Sequence, residues 1–186
     1  NEVYASSTAG SSLCKFLFPN LFDTISDKDL SGGKEHGENG FLRFYKDAPL
    51  RKAIAFTLDY GGTSPTPSAL LSSLGMIGSM PTNFRPTNAK LIYEHFTEEG
   101  DVVYDSSCGF GGRMLGCLSS KNNLTYVGAD PNTETQTHLH ELGTYIEEFT
   151  GRKDSFHLYC DGSENVMIGE NTVDFAFSSP PYFDLE

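Results

Sequence analysis

The chain has 186 residues, 38% of them hydrophobic and 20% charged, with 14 Phe and 9 Tyr; that balance excludes an intrinsically disordered polymer and is enough for one domain-sized core. No run approaches the ~20 consecutive apolar residues that span a bilayer, and the opening Asn1-Glu2-Val3-Tyr4 lacks the basic-then-apolar plan of a secretion signal, so a cytoplasmic protein with no membrane attachment is expected. The net charge of -12 is uneven: residues 1–90 carry nine Lys/Arg against eight Asp/Glu and residues 91–186 carry four against seventeen, which would repel a phosphate backbone unless a nucleic-acid groove were supplied elsewhere.

Along the first eighty residues, the apolar cluster Phe16-Leu17-Phe18-Pro19-Asn20-Leu21-Phe22 precedes a polar, Gly-rich stretch from Ser31 to Gly40 that reads as a loop. Phe41 to Tyr45 reads as a short strand and Leu50 to Leu58 as a helix, before Gly61-Gly62-Thr63-Ser64-Pro65-Thr66-Pro67 breaks the chain. Lys46, Arg51 and Lys52 form an ordinary solvated face in this reading.

From Pro81 the rhythm becomes regular. Pro86 with Thr87 opens a helix through Phe96, with Leu91, Ile92 and Phe96 on one side. The β-branched run Asp101 to Tyr104 ends at Asp105, and a Gly-rich turn leads to a helix around Arg113 to Ser119. A second strand, Thr125 to Ala129, ends at Asp130, and Thr133 to Phe149 has helical spacing through Leu139, Leu142, Tyr145, Ile146 and Phe149. Phe156 to Tyr159 and Val173 to Phe177 read as two more buried strands. Strands alternating with helices imply a parallel sheet built from strand–helix–strand units.

Three features place chemistry on this frame. Asp105-Ser106-Ser107-Cys108-Gly109-Phe110-Gly111-Gly112 lies between a strand and a helix, where glycines let a ligand approach backbone amides; no Gly-Lys-Ser/Thr follows, so it is not a phosphate-binding P-loop. Asp130, in Gly128-Ala129-Asp130-Pro131-Asn132, ends the next strand at the spacing where an acid accepts hydrogen bonds from ribose hydroxyls, although an N-cap for the following helix would use the same residue type. Cys160-Asp161-Gly162-Ser163 again sets an acid just past a strand, within reach of a ligand's exocyclic amine. Cys14, Cys108, Cys117 and Cys160 form no Cys-x-x-Cys pair, and His36, His95, His138, His140 and His157 show no ligand or triad spacing, so neither a metal site nor a disulfide framework is expected.

The fourth feature is Asp174-Phe175-Ala176-Phe177-Ser178-Ser179-Pro180-Pro181-Tyr182, an apolar strand stopping in Ser-Pro-Pro-Tyr. It resembles the catalytic loop of the S-adenosylmethionine-dependent DNA amino-methyltransferases, in which Asp, Asn or Ser precedes Pro-Pro-Tyr/Phe. Asn83-Phe84-Arg85-Pro86 with its helix resembles the family segment that packs around the methionine part of the cofactor. The turn at Asp105 resembles the family's glycine motif, usually Asp-Pro-Phe-x-Gly-x-Gly, with Ser106 and Ser107 in place of Pro and Phe. The matches run in family order over about Pro81 to Tyr182.

The resemblance implies an α/β, Rossmann-like methyltransferase fold with a mostly parallel sheet, with residues 1–80 as an N-terminal extension and 81–186 as the cofactor-binding core. Only four strands are accounted for where the family has seven, so the core is expected to be truncated after the fourth strand and completed by a further C-terminal segment or a partner chain. S-adenosylmethionine is the implied cofactor, with Phe84, Arg85, Pro86, Asp105, Ser107, Cys108, Gly109, Gly111, Asp130, Pro131, Asp161 and Gly162 as its contacts. Ser179, Pro180, Pro181 and Tyr182 are the implied catalytic residues. DNA is the implied substrate, contacted largely through parts of the protein outside this chain. Ser before Pro-Pro-Tyr favours N4 of cytosine over N6 of adenine. RNA base methylation, protein glutamine methylation (where Asn is usual in place of Ser179) and a cofactor-binding module without turnover are the alternatives.

Overall fold

The computed structural model describes residues 8–22, 46–61, 66, 69–70, 73 and 83–180. The chain separates into two compact units, Asn1–Pro19 with Asn83–Pro180 and Asn20–Thr82 with Pro181–Glu186. The first unit is an α/β layer structure. Helix α1 (Ser11–Leu17) comes first, and helix α3 (Pro86–Phe96) starts on a proline at its first turn, where a missing N–H costs nothing. Then follow β1 (Val102–Asp105), α4 (Gly112–Leu118), β2 (Thr125–Ala129), α5 (Thr133–Thr150), β3 (Phe156–Tyr159), a 3₁₀ turn (Ser163–Asn165) and β4 (Phe175–Ala176). In the second unit, helix α2 (Asp47–Gly61) covers and extends the helix expected from Leu50 to Leu58. Its buried Thr57 hydroxyl donates to the Ala53 carbonyl at 2.7 Å and shares a hydrogen bond with Ser73 Oγ, also at 2.7 Å. Arg51 lies 3.9 Å from Asp47 on the exposed face of α2. The loop and strand read between Ser31 and Tyr45 lie outside the described residues.

All strand pairs are parallel, in the order β3-β2-β1-β4. This is a Rossmann-like arrangement in which strand order reverses between β1 and β4, the point where open α/β sheets present a crevice at the carboxyl ends of their strands. The core joins Val103, Leu124 and Tyr126 from the β1–β2 region to Ala89, Tyr93, Met114, Leu118, Leu139, Leu142 and Ile146 from the helices, with Cys14 and Phe18 from the α1 region. Helices α3 and α4 meet almost backbone to backbone, because a Cβ on Gly116 would stand 2.6 Å from Ala89 Cβ and 2.7 Å from the Pro86 carbonyl oxygen.

The buried sides of the helices differ from the sequence expectation. In α3 the buried residues are Pro86, Thr87, Ala89 and Tyr93, whereas Leu91 is 43% and Phe96 64% exposed. The close α3–α4 seam fixes which face turns inward, and Tyr93, not Leu91, fills it with edge-to-face contacts to Phe175 and Phe177. In α5, Leu139, Leu142 and Ile146 are buried as expected, while Tyr145 and Phe149 lie in solvent and stack on each other. One helix against one side of a sheet buries a stripe, and a five-residue apolar arc is wider than that stripe. The strands β3 and β4, expected to be buried, are half-exposed or exposed along their length, as befits the outer positions of the four-stranded order. The regular part of β4 is shorter than Val173 to Phe177, although Asp174 N–H to the Val102 carbonyl and Phe177 N–H to the Tyr104 carbonyl, both 2.9 Å, carry the pairing one residue further each way. Among the described residues no helix is long and apolar enough to cross a membrane.

Candidate functional site

Asp105 ends β1 and is fully buried. Its Oδ2 accepts from Arg113 Nε and from the Tyr126 hydroxyl, each at 2.7 Å. Its Oδ1 accepts from the Ser178 hydroxyl at 2.7 Å, from the Ser107 N–H at 3.2 Å and from Arg113 Nη2 at 3.4 Å. A carboxylate with every lone pair engaged has nothing left for a ligand. Asp105, expected among the cofactor contacts, has its oxygens occupied by Ser107, Arg113, Tyr126 and Ser178. Burial works against the Arg113 charge, but the Asp105 carboxylate beside it, by charge and by hydrogen bond, carries the guanidinium above its ordinary pKa. Arg113 also donates to the Ser107 carbonyl, and its guanidinium lies 5.8 Å from the centre of the Phe84 ring.

The turn that follows is held from both sides. Cys108 N–H donates to the Ala129 carbonyl at 2.9 Å, and Gly109 N–H to Asp130 Oδ2 at 2.9 Å. Cys108 is buried, which pushes its thiol well above the ordinary range and makes it a packing residue. Gly109 and Gly111 have φ of +54° and +71°. At Gly111 the left-handed backbone and the proximity of Phe18 and Leu142, each under 3 Å from a notional Cβ, leave room for glycine alone. Asn83 Nδ2 donates to the Phe110 carbonyl at 2.5 Å, tying the segment before α3 to the crest of the turn. Phe84 packs edge-to-face on Phe177 at 5.5 Å, Pro86 is buried, and Arg85 is exposed at the helix start.

Asp130 is half-buried at the end of β2 and is not the helix cap. That role belongs to Asn132, whose side chain accepts from Thr135 N–H at 2.9 Å. Each Asp130 oxygen accepts one backbone N–H, Oδ2 from Gly109 and Oδ1 from Asn132 at 3.0 Å, which leaves further acceptor capacity on both. Burial raises its pKa above the ordinary carboxylate value against the lowering effect of those two N–H groups. Gln136 Nε2 clips the ends of β2 and β3 together by donating to the carbonyls of Asp130 (3.1 Å) and Tyr159 (2.8 Å).

Pro131 is exposed beside Asp130. Asp161 is exposed after β3, with Oδ1 accepting from Gly162 N–H at 2.7 Å and from Asn165 Nδ2 at 2.9 Å, contacts that lower its pKa. Ser179 and Pro180 are exposed immediately after Ser178; Pro181 and Tyr182 lie outside the described residues. Thus the ends of β1, β2 and β4 bring together the glycine turn, Asp130 and the start of the Ser-Pro loop, with Phe84 against them. Arg113, Tyr126 and Ser178 were not legible as site residues, although an arginine in a short apolar helix and a tyrosine inside a buried strand each demand a partner.

No family model matches the chain, and no curated protein does. Among solved structures it is similar to a protein of Pyrococcus horikoshii described as a "putative RNA methyltransferase", at 20% identity and a TM-score of 0.41, covering 73% of this chain and 61% of that one. It is also similar to a protein of Bordetella parapertussis described as a possible exported protein, at 12% identity and a TM-score of 0.42, covering 96% of this chain and 62% of that one. The chain spans about three fifths of the length of each.

Proposed function

We propose that the chain binds S-adenosylmethionine in the crevice formed by the glycine turn and Asp130, and that its Ser-Pro-Pro-Tyr loop directs methyl transfer to an exocyclic amino group of a DNA base, N4 of cytosine in preference to N6 of adenine. The observation that carries this reading is positional. The glycine turn after β1 and the Ser178–Ser179 loop after β4 emerge side by side where the strand order reverses, the place at which such sheets hold nucleotide ligands.

The residues present fit the cofactor. Asp130 keeps acceptor capacity for ribose hydroxyls, and at Gly109, where a Cβ would stand clear of every side chain, the turn carries nothing that would cover its backbone. When bound, S-adenosylmethionine supplies a methyl group on a positively charged sulfur. An exocyclic amine is a poor nucleophile because its lone pair is delocalised into the ring. The Ser179 hydroxyl and the Pro180 carbonyl are the acceptors that would take its two N–H bonds, drawing the nitrogen toward tetrahedral geometry and aiming the lone pair. Consecutive prolines stiffen the loop and remove competing donors, and Tyr182 would stack on a base turned out of its helix, since the amine is inaccessible within the stack.

The test is incubation of the protein with methyl-labelled S-adenosylmethionine and, separately, unmethylated DNA, RNA or protein, followed by mass spectrometry of the product. Label in N4-methylcytosine or N6-methyladenine of DNA is the expected result. Label in an RNA nucleoside or in glutamine would move the substrate assignment, and no label anywhere would leave a binding module.

A further inference from the structure

The Asp105 carboxylate joins four parts of the site: the glycine turn through Ser107 N–H, α4 through Arg113, β2 through Tyr126 and the Ser-Pro loop through Ser178. Stability alone is a poor account of such a centre. Taking a carboxylate and a guanidinium out of water costs about as much as their attraction returns, and apolar replacements of buried pairs are often no less stable. What the arrangement does supply is fixed geometry.

The Phe177 N–H to Tyr104 carbonyl bond, 2.9 Å, is the last rung of the β4 ladder. Beyond it the chain leaves the sheet, and among the described residues the Ser178 hydroxyl makes the last hydrogen bond before Ser179. Pro180 and Pro181 have no N–H with which to anchor the loop themselves. The geometry points to Ser178 as a positioning residue: its hydroxyl, bonded to Asp105, fixes the acceptors of Ser179 and Pro180 relative to the glycine turn, so that one buried carboxylate sets both the cofactor's seat and the amine's approach. This rests on the methyl-transfer reading above.

The experiment compares wild type with S178A and with S178T, which keeps a hydroxyl. Three properties are read in the same protein: S-adenosylmethionine affinity by calorimetry, methyl-transfer rate at saturating cofactor, and amide hydrogen exchange of peptides covering residues 175–180. Displacement of a reacting group by about 1 Å costs on the order of 100-fold in rate. S178A should therefore bind cofactor within about twofold of wild type, transfer methyl ~10- to 100-fold more slowly and exchange faster across 177–179, with S178T restoring rate and protection. An S178A variant that matches wild type in rate and exchange would overturn the proposal. So would one that loses cofactor affinity and melting temperature together with rate, since Ser178 would then be a general structural contact. Faster exchange in S178A alongside a wild type that methylates no substrate would support the tether and sink the methyl-transfer reading instead.

Discussion

Among single residues, Asp130 carries the proposed ribose contact. Its carboxyl titrates above the ordinary value in the folded chain, so the native state holds that proton more tightly than the unfolded chain does. The corresponding stability is present at acid pH and lost as pH rises through the raised value, so Asp130 opposes folding at neutral pH. In the proposed role it accepts hydrogen bonds when ionised. Asp130→Asn should weaken S-adenosylmethionine binding by about 10- to 100-fold, the scale of hydrogen bonds to a charged acceptor. Wild-type affinity should fall as pH drops toward the raised value, earlier than for an ordinary aspartate, and the Asn variant should lack that dependence; calorimetry across pH checks both. Arg113 behaves oppositely. Arg113→Met would leave the Asp105 charge buried beside no cation, and should cost ~3–5 kcal/mol, read as a lowered urea midpoint.

At the scale of elements, the sequence was most legible where local chemistry decides and least where packing does. Pro86 fixed the start of α3, a backbone demand that acts within one turn, whereas the cap of α5 fell to Asn132 and not to the Asp130 that the sequence offered for it. The strand ends at Asp105 and Ala129 were equally readable, because β-branched and aromatic runs stop at acids there. The inward face of α3 was not. Leu91 is more apolar than Tyr93, and only the contact of Gly116 with Ala89 and Pro86 decides which one the core receives. Truncation of Tyr93 to Ala should therefore destabilise the chain by ~3–5 kcal/mol, whereas Leu91→Ala should stay within about 0.5 kcal/mol, as an exposed site does. Equal losses at the two positions in denaturant titrations would contradict the observed face.

For the molecule as a whole, the order of motifs along the chain anticipated the α/β alternation, and the parallel order β3-β2-β1-β4 explains why residues as distant as Asp105 and Ser178 are neighbours. No local signal in the sequence contained that contact, because it depends on β4 lying beside β1. The acidic second half is likewise a property of the whole: exposed Glu134, Glu141 and Glu148 line α5, a surface that repels a phosphate backbone. In the proposed mechanism the Ser-Pro loop orients an amine for a cofactor seated at the glycine turn. Its most direct test is the methyl-transfer rate of Ser179→Ala into DNA at saturating S-adenosylmethionine, beside wild type. On that mechanism transfer falls at least about 100-fold while cofactor affinity is kept, as expected for loss of an interaction that matters in the transition state. Transfer at the wild-type rate would contradict it.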